Sequence, residues 1–159
     1  MKNTLQVAAQ GDREILVTRA FDAPRELVYE AYTKPELLKR WLGGNFGGWS
    51  LDVCEIDLVV GGAYRWVWNG PDGAQMGISG VYREVTPPAR IVCTELFDES
   101  WYQGEALVTV DFLERGAGTS TLQLVLRYES KAARDGVIAS PMATGMTASY
   151  DALEALLAA

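Results

Sequence analysis

The chain has 159 residues, 48% of them hydrophobic and 22% charged, which suits one soluble domain able to bury a substantial core. Its net charge of −7 argues against nucleic acid and anionic membrane surfaces, because both are bound through basic patches. No apolar run approaches the ~20 uncharged residues of a membrane-spanning helix, so no membrane insertion is expected.

Residues 1–12 are polar and weakly patterned and read as a flexible tail with no apolar export signal. Residues 13–159 read as a single domain. Glu14 to Phe21 (EILVTRAF) is a strand, with Ile15, Val17 and Arg19 on one side and Leu16, Thr18 and Ala20 on the other. Asp22 and Pro24 open a short helix whose Leu27, Val28, Ala31 and Tyr32 fall at helical spacing. Pro35 opens a second, with Leu37, Leu38, Trp41 and Leu42 on one face. Residues 43–49 (GGNFGGW) hold four glycines. With no Lys-Ser or Lys-Thr after them they are no phosphate loop. They are either a plain connector or a lid carrying aromatic tips, with Trp41, Phe46 and Trp49 as entrance candidates.

Strands then follow one another to about residue 130. In AYRWVWN, Tyr64, Trp66 and Trp68 alternate, so their rings point one way. The Gly70-Pro71-Asp72-Gly73 stretch turns the chain back into QMGISGVYREV. Gly77 and Gly80 inside that strand favour bending or close backbone approach. Pro87-Pro88 leads into ARIVCTELFD. In EALVTVDFLE, Val108, Val110 and Phe112 alternate with Thr109 and Asp111. TSTLQLVLRYE completes a total of seven strands, six of them consecutive. Ser130 is a candidate N-cap for a helix, and Ser140-Pro141 restarts it. Met142, Met146, Tyr150, Leu153 and Leu157 then recur every three or four residues along a helix to Leu157.

Strand, two short helices, six antiparallel strands and a long helix together predict an α+β fold. A strongly twisted sheet would curve around the last helix. One cylinder does not fill a wide concave sheet, so large side chains or a ligand must occupy the space beside it. Tyr64, Trp66, Trp68, Met76, Tyr82, Val110, Phe112, Met142, Met146 and Tyr150 are the candidate walls. They either pack only on each other or border a cavity. Indoles, thioethers and a few hydroxyls together favour the cavity.

The chain has no histidine. That excludes Ser-His-Asp and Cys-His catalysis and the usual histidine-bearing zinc sites, and no metal or cofactor is expected. Without a recognisable catalytic motif, acid–base work would fall to Arg65, Glu95, Glu105, Tyr82 or Tyr150. Cys54 and Cys93 lie in strand-like runs and read as reduced, buried thiols, which fits a cytoplasmic protein.

Four stretches carry a family resemblance: VTRAFDAPRELVYEAYTKPELLKRWLG, GGAYRWVWNGPDGAQMGISGVYREVTPPARIV, GEALVTVDFLERGAGTSTLQLVL and SKAARDGVIASPMATGMTASYDALEALL. The chain resembles the bacterial homologues of the activator of the heat-shock-protein-90 ATPase. These belong to the START-like, SRPBCC or birch-pollen-allergen-like superfamily with the helix-grip fold. The resemblance implies a seven-stranded antiparallel sheet gripping a C-terminal helix over a deep cavity. Superfamily members bind lipids, sterols, polyketides and other apolar molecules there, and some are cyclases, dehydratases or hydrolases. The chain departs from the family where Pro87-Pro88-Ala89-Arg90 replaces the expected Pro-Pro-Glu-Arg, and at Pro141, which predicts a break at the helix start. It has no room for the cochaperone's second domain, so chaperone activation is not expected.

The leading expectation is a binder, carrier or sensor of a small apolar or amphipathic molecule. A cofactor-independent enzyme acting on such a molecule is the alternative. A protein-interaction module, as a homodimer or cochaperone relative, is the third.

Overall fold

The computed structural model describes residues 3–42 and 48–158. Strands β1 (Gln6–Gln10) and β2 (Glu14–Phe21) precede helices α1 (Arg25–Thr33) and α2 (Pro35–Trp41). A meander follows: β3 (Ser50–Ile56), β4 (Ala63–Asn69), β5 (Gln75–Thr86), β6 (Arg90–Phe97), β7 (Ala106–Gly116) and β8 (Thr119–Arg127). Helices α3 (Lys131–Ala139) and α4 (Met142–Ala158) come last. One antiparallel sheet holds all eight strands in the order β1-β2-β8-β7-β6-β5-β4-β3. The architecture is the α+β helix-grip arrangement, with one strand more than the seven read from the sequence.

The added strand is β1, inside the segment read as a loose tail. Its ladder runs from Gln6 opposite Thr18 to Gln10 opposite Glu14. The sequence hides it because its side chains are mostly exposed and its alternation is short and weak, with only Val7 and the preceding Leu5 large and apolar. Main-chain pairing, the packing of Leu5 and Val7 against the core, and one distant residue hold it. The buried Arg134 of α3 donates from Nη1 to the carbonyls of Gly11 and Glu14, both at 2.9 Å, and so pins the hairpin turn.

Strict alternation sets the inner face. Ile15, Val17, Arg19 and Phe21 of β2, Ala106, Val108, Val110 and Phe112 of β7, and Leu122, Leu124 and Leu126 of β8 are all buried. Arg19 is the exception in kind. Only 1% of its side chain is exposed, and its guanidinium pairs with Asp151 at 2.9 Å and Glu154 at 3.2 Å on α4. A buried charge is tolerated when it is paired in this way, and the pair clamps the C-terminal half of α4 to the sheet.

Helices α1 and α2 lock together where Trp41 Nε1 donates to the Ala31 carbonyl at 2.9 Å. Ser130 caps α3, its hydroxyl accepting the Ala133 amide at 3.0 Å. The chain then breaks at Ser140, which is extended, because proline disfavours a helical residue before it. This is the interruption that Pro141 predicts. No helix among the described residues is long and apolar enough to cross a membrane.

Candidate ligand cavity

The aromatic run of β4 is held by hydrogen bonds at its two ends. Tyr64 lies opposite Gly80 of β5, and its hydroxyl crosses to donate to the Thr94 carbonyl at 2.6 Å. A Cβ at Gly80 would run into both the Tyr64 ring and that carbonyl, so the close approach requires glycine. Trp68 Nε1 donates to the Leu42 carbonyl at 3.0 Å, tying the strand to the end of α2. Between them Trp66 packs on both rings, with centroids 4.9 Å and 6.2 Å away. Among the described residues the Trp66 indole N–H has no partner.

These rings do not close the interior. A cavity of about 750 Å³ separates the sheet from the first turns of α4. That volume is within the usual range for small-molecule sites, roughly 300–1,000 Å³. Tyr64, Trp66 and Trp68 form one wall, and Met142, Gly145, Met146, Ser149 and Tyr150 of α4 form the opposite one. Ile78 and Tyr82 of β5, Cys93 and Glu95 of β6, Val108 and Val110 of β7, and Leu124 and Leu126 of β8 make the floor. Trp49, Met76, Trp101 and Tyr102 also border the space, and Met76 and Trp101 are exposed.

Three expected residues are placed otherwise or lie beyond description. Phe112 is not on the wall. It is buried under α1, edge-on to Tyr29 at 5.1 Å and Tyr32 at 5.6 Å, because α1 covers that end of β7. Trp41 borders the cavity, yet it is 1% exposed and stacks on Tyr150 at 5.7 Å. It is a fixed part of the wall rather than an entrance. Phe46 lies outside the described residues, and so does most of the glycine-rich segment; Trp49 is half-buried at the cavity.

The acid–base candidates separate in the same way. Arg65 forms a two-pronged pair with Asp98, both contacts at 2.5 Å, away from the cavity. Glu105 lies in a separate, smaller pocket with Arg83, 3.8 Å away. Tyr82 and Tyr150 do border the cavity, and the Tyr150 hydroxyl shares a hydrogen bond of 2.7 Å with Tyr32. Glu95 also opens onto it, and burial pushes its carboxyl up to about 7. Burial likewise pushes the Cys93 thiol up to about 12 and the Cys54 thiol to about 11, so both are inert, free thiols at neutral pH. The phenols of Tyr32, Tyr64, Tyr82, Tyr102, Tyr128 and Tyr150 are all raised, chiefly by burial.

Sequence reasoning missed Tyr102, Tyr128, Cys93 and Tyr32 as lining residues. Cys93 shares strand parity with Ile91, Glu95 and Phe97, a signal that was available. Tyr102 sits in the loop before β7, where no periodicity points.

The sequence pattern of the family described as "Activator of Hsp90 ATPase homolog 1-like protein" matches residues 22–158. The chain belongs to this family. Solved structures agree. A crystal structure of a Rhodobacter sphaeroides protein is 36% identical, covers 98% of each chain and superposes with a TM-score of 0.90. Protein Ms6760 from Mycobacterium smegmatis is 22% identical, with a TM-score of 0.84 over 98% of this chain and 97% of its own. An HSP90 activator from Plasmodium falciparum shares the family fold at 23% identity, with a TM-score of 0.68 over 92% of this chain and 96% of its own. Among curated proteins none matches the chain.

Proposed function

We propose that this family member binds, carries or senses a small apolar or amphipathic molecule in the space between the sheet and α4. The observation that carries the reading is the volume of about 750 Å³ bordered by indoles, phenols and thioethers. A close-packed interior leaves few voids larger than a water molecule, so this much unfilled apolar wall is built for an occupant. The exposed Trp101 belongs to the same rim, which accounts for it without a protein partner. Two free cysteines are compatible with a cytoplasmic setting.

Catalysis is the second reading, because Glu95 is a carboxyl that titrates near neutrality inside the cavity. The binding reading is preferred because no tyrosine or arginine is hydrogen-bonded to Glu95 among the described residues. A nucleophile or base normally has such an orienting partner.

The test is titration with the neutral apolar dye N-phenyl-1-naphthylamine, read by dye emission and by quenching of the tryptophans. Native mass spectrometry of the purified protein runs beside it. Saturable uptake of one dye per chain, or a retained small molecule, supports the proposal. No uptake, with tryptophan emission unmoved, overturns it.

A further inference from the structure

Glu95 differs in chemistry from everything else around the cavity. It is the one formally charged side chain among the described lining residues, and no Lys, Arg or Asp shares the wall. It is half-buried and borders the cavity. Its carboxyl has no hydrogen bond or ion pair among the described residues. Phenols surround it: Tyr64 of β4, Tyr102 before β7, Tyr128 after β8, Tyr32 of α1 and Tyr150 of α4 are all close enough to be affected by its charge. None of their hydroxyls is hydrogen-bonded to it among the described residues, and two of the five donors are used elsewhere. Tyr64 donates to Thr94, and Tyr32 and Tyr150 bond each other.

We propose that the ligand carries a protonated amine, received by the Glu95 carboxylate and faced by the surrounding tyrosine rings. This rests on reading the cavity as a binding site. A carboxylate withdrawn from water needs a counter-charge, and none of the lining residues supplies one. Aromatic faces attract an ammonium through the ring quadrupole, most strongly where water is excluded. The same arrangement disfavours fatty acids and other anions, which would bring a second negative charge against the first with no cation to hold it. Uncharged apolar molecules would fit the walls but leave Glu95 unanswered.

The proposal predicts a pH dependence opposite to that of an acidic ligand. Besides Glu95, the titratable groups facing it are Cys93 and the five tyrosines, and all of these are shifted upward. Glu95 alone ionises between about pH 6 and about pH 8. Across that interval its ionised fraction rises about tenfold, while an alkylamine stays protonated.

The experiment uses three probes on one ring system: 1-naphthylmethylamine, 1-naphthalenemethanol and 1-naphthoic acid. Each is titrated calorimetrically into the full chain and into E95Q at about pH 6 and about pH 8. In the wild type the amine should bind about tenfold or more tighter than the alcohol at about pH 8, as a charge-assisted contact predicts. The acid should bind weakest. Amine affinity should rise up to about tenfold from about pH 6 to about pH 8, and E95Q should flatten that rise and bring the amine-to-alcohol ratio close to one. The wild-type probe series and its pH profile stand even if the variant folds poorly. Alcohol or acid binding as tightly as amine, or a ratio untouched by E95Q, overturns the amine assignment and leaves the cavity reading intact. If none of the three probes binds, the amine assignment falls, while the dye titration and native mass spectrometry decide the cavity reading by themselves.

Discussion

Glu95 should lower the stability of the empty protein, by an amount that can be worked out. Its carboxyl is raised from an ordinary 4.5 to about 7, and burial is the cause. Below the unfolded value both states are protonated and the residue contributes nothing. As pH rises past 4.5 the unfolded chain releases the proton while the folded chain keeps it, so stability falls until about 7 and the deficit is constant above that. At 1.36 kcal/mol for each tenfold change in proton affinity, the deficit reaches about 3 kcal/mol. E95Q keeps the shape and removes the ionisation. Urea unfolding of both proteins from about pH 5 to about pH 8 should show curves that diverge, with E95Q gaining about 2.5 kcal/mol over the interval. In thermal melts this is about 5 to 10 °C for a chain of this size. Other carboxylates titrate in both proteins and cancel in the difference. A gap between the two that stays constant with pH would refute the reasoning, because it would mean that Glu95 meets water or a partner in the folded state.

Two further perturbations separate the cavity from the scaffold. Gly145 borders the cavity in the first turn of α4, and nothing lies within 4 Å of the position a Cβ would take. Gly145→Phe should therefore leave the melting temperature unchanged or slightly higher, since glycine is a poor helix former, while weakening dye uptake at least about tenfold; unchanged uptake would show that the ligand avoids this side of α4. In the Arg19 clamp, the double change D151N/E154Q strands a buried guanidinium and should cost about 3–5 kcal/mol. R19M should cost less, because it fills the same volume and leaves carboxylates that are 39% and 29% exposed in water. Urea denaturation ranks the two, and the reverse order would show that the pair is not what seats α4.

Most of the sheet was legible because its inner face is written at period two. Val108 and Val110 in β7, and Leu122, Leu124 and Leu126 in β8, show it directly. Helix α4 was legible from its spacing, and its start from Ser140-Pro141. What escaped was information held elsewhere in the chain. Strand β1 depends on a ladder and on Arg134, some 120 residues away. Phe112 follows the parity of Val110, yet α1 covers that end of the strand, and no pattern within β7 marks where cavity gives way to core. Trp41 sits just before a glycine-rich stretch of sequence and so reads as an entrance; its stacking on Tyr150, more than 100 residues away, fixes it inside. Glu95 carries the opposite lesson. In the sequence it stands only among five acid–base candidates, although it shares strand parity with Ile91, Cys93 and Phe97; a glutamate's usual exposure hides that signal.

The two ends of α4 have different tasks, and that division explains how an open cavity survives in a folded protein. Toward the C-terminus, Leu153 is fully buried and Asp151 and Glu154 grip Arg19, so the helix is seated by packing and charge. Toward the N-terminus, Met142 and Met146 are only half-buried and Gly145 is exposed; the chain arrives there through the break at Ser140-Pro141 rather than as a continuation of α3. A continuous helix would carry its first turns along the axis set by α3. The break frees them to stand off the sheet at a distance chosen by what lies beneath. Stability is thus concentrated where no ligand would reach, and the surface that meets a ligand is built from flexible thioethers and a glycine. Substitutions in the first two turns of α4 should act on binding, and those in the last two on folding.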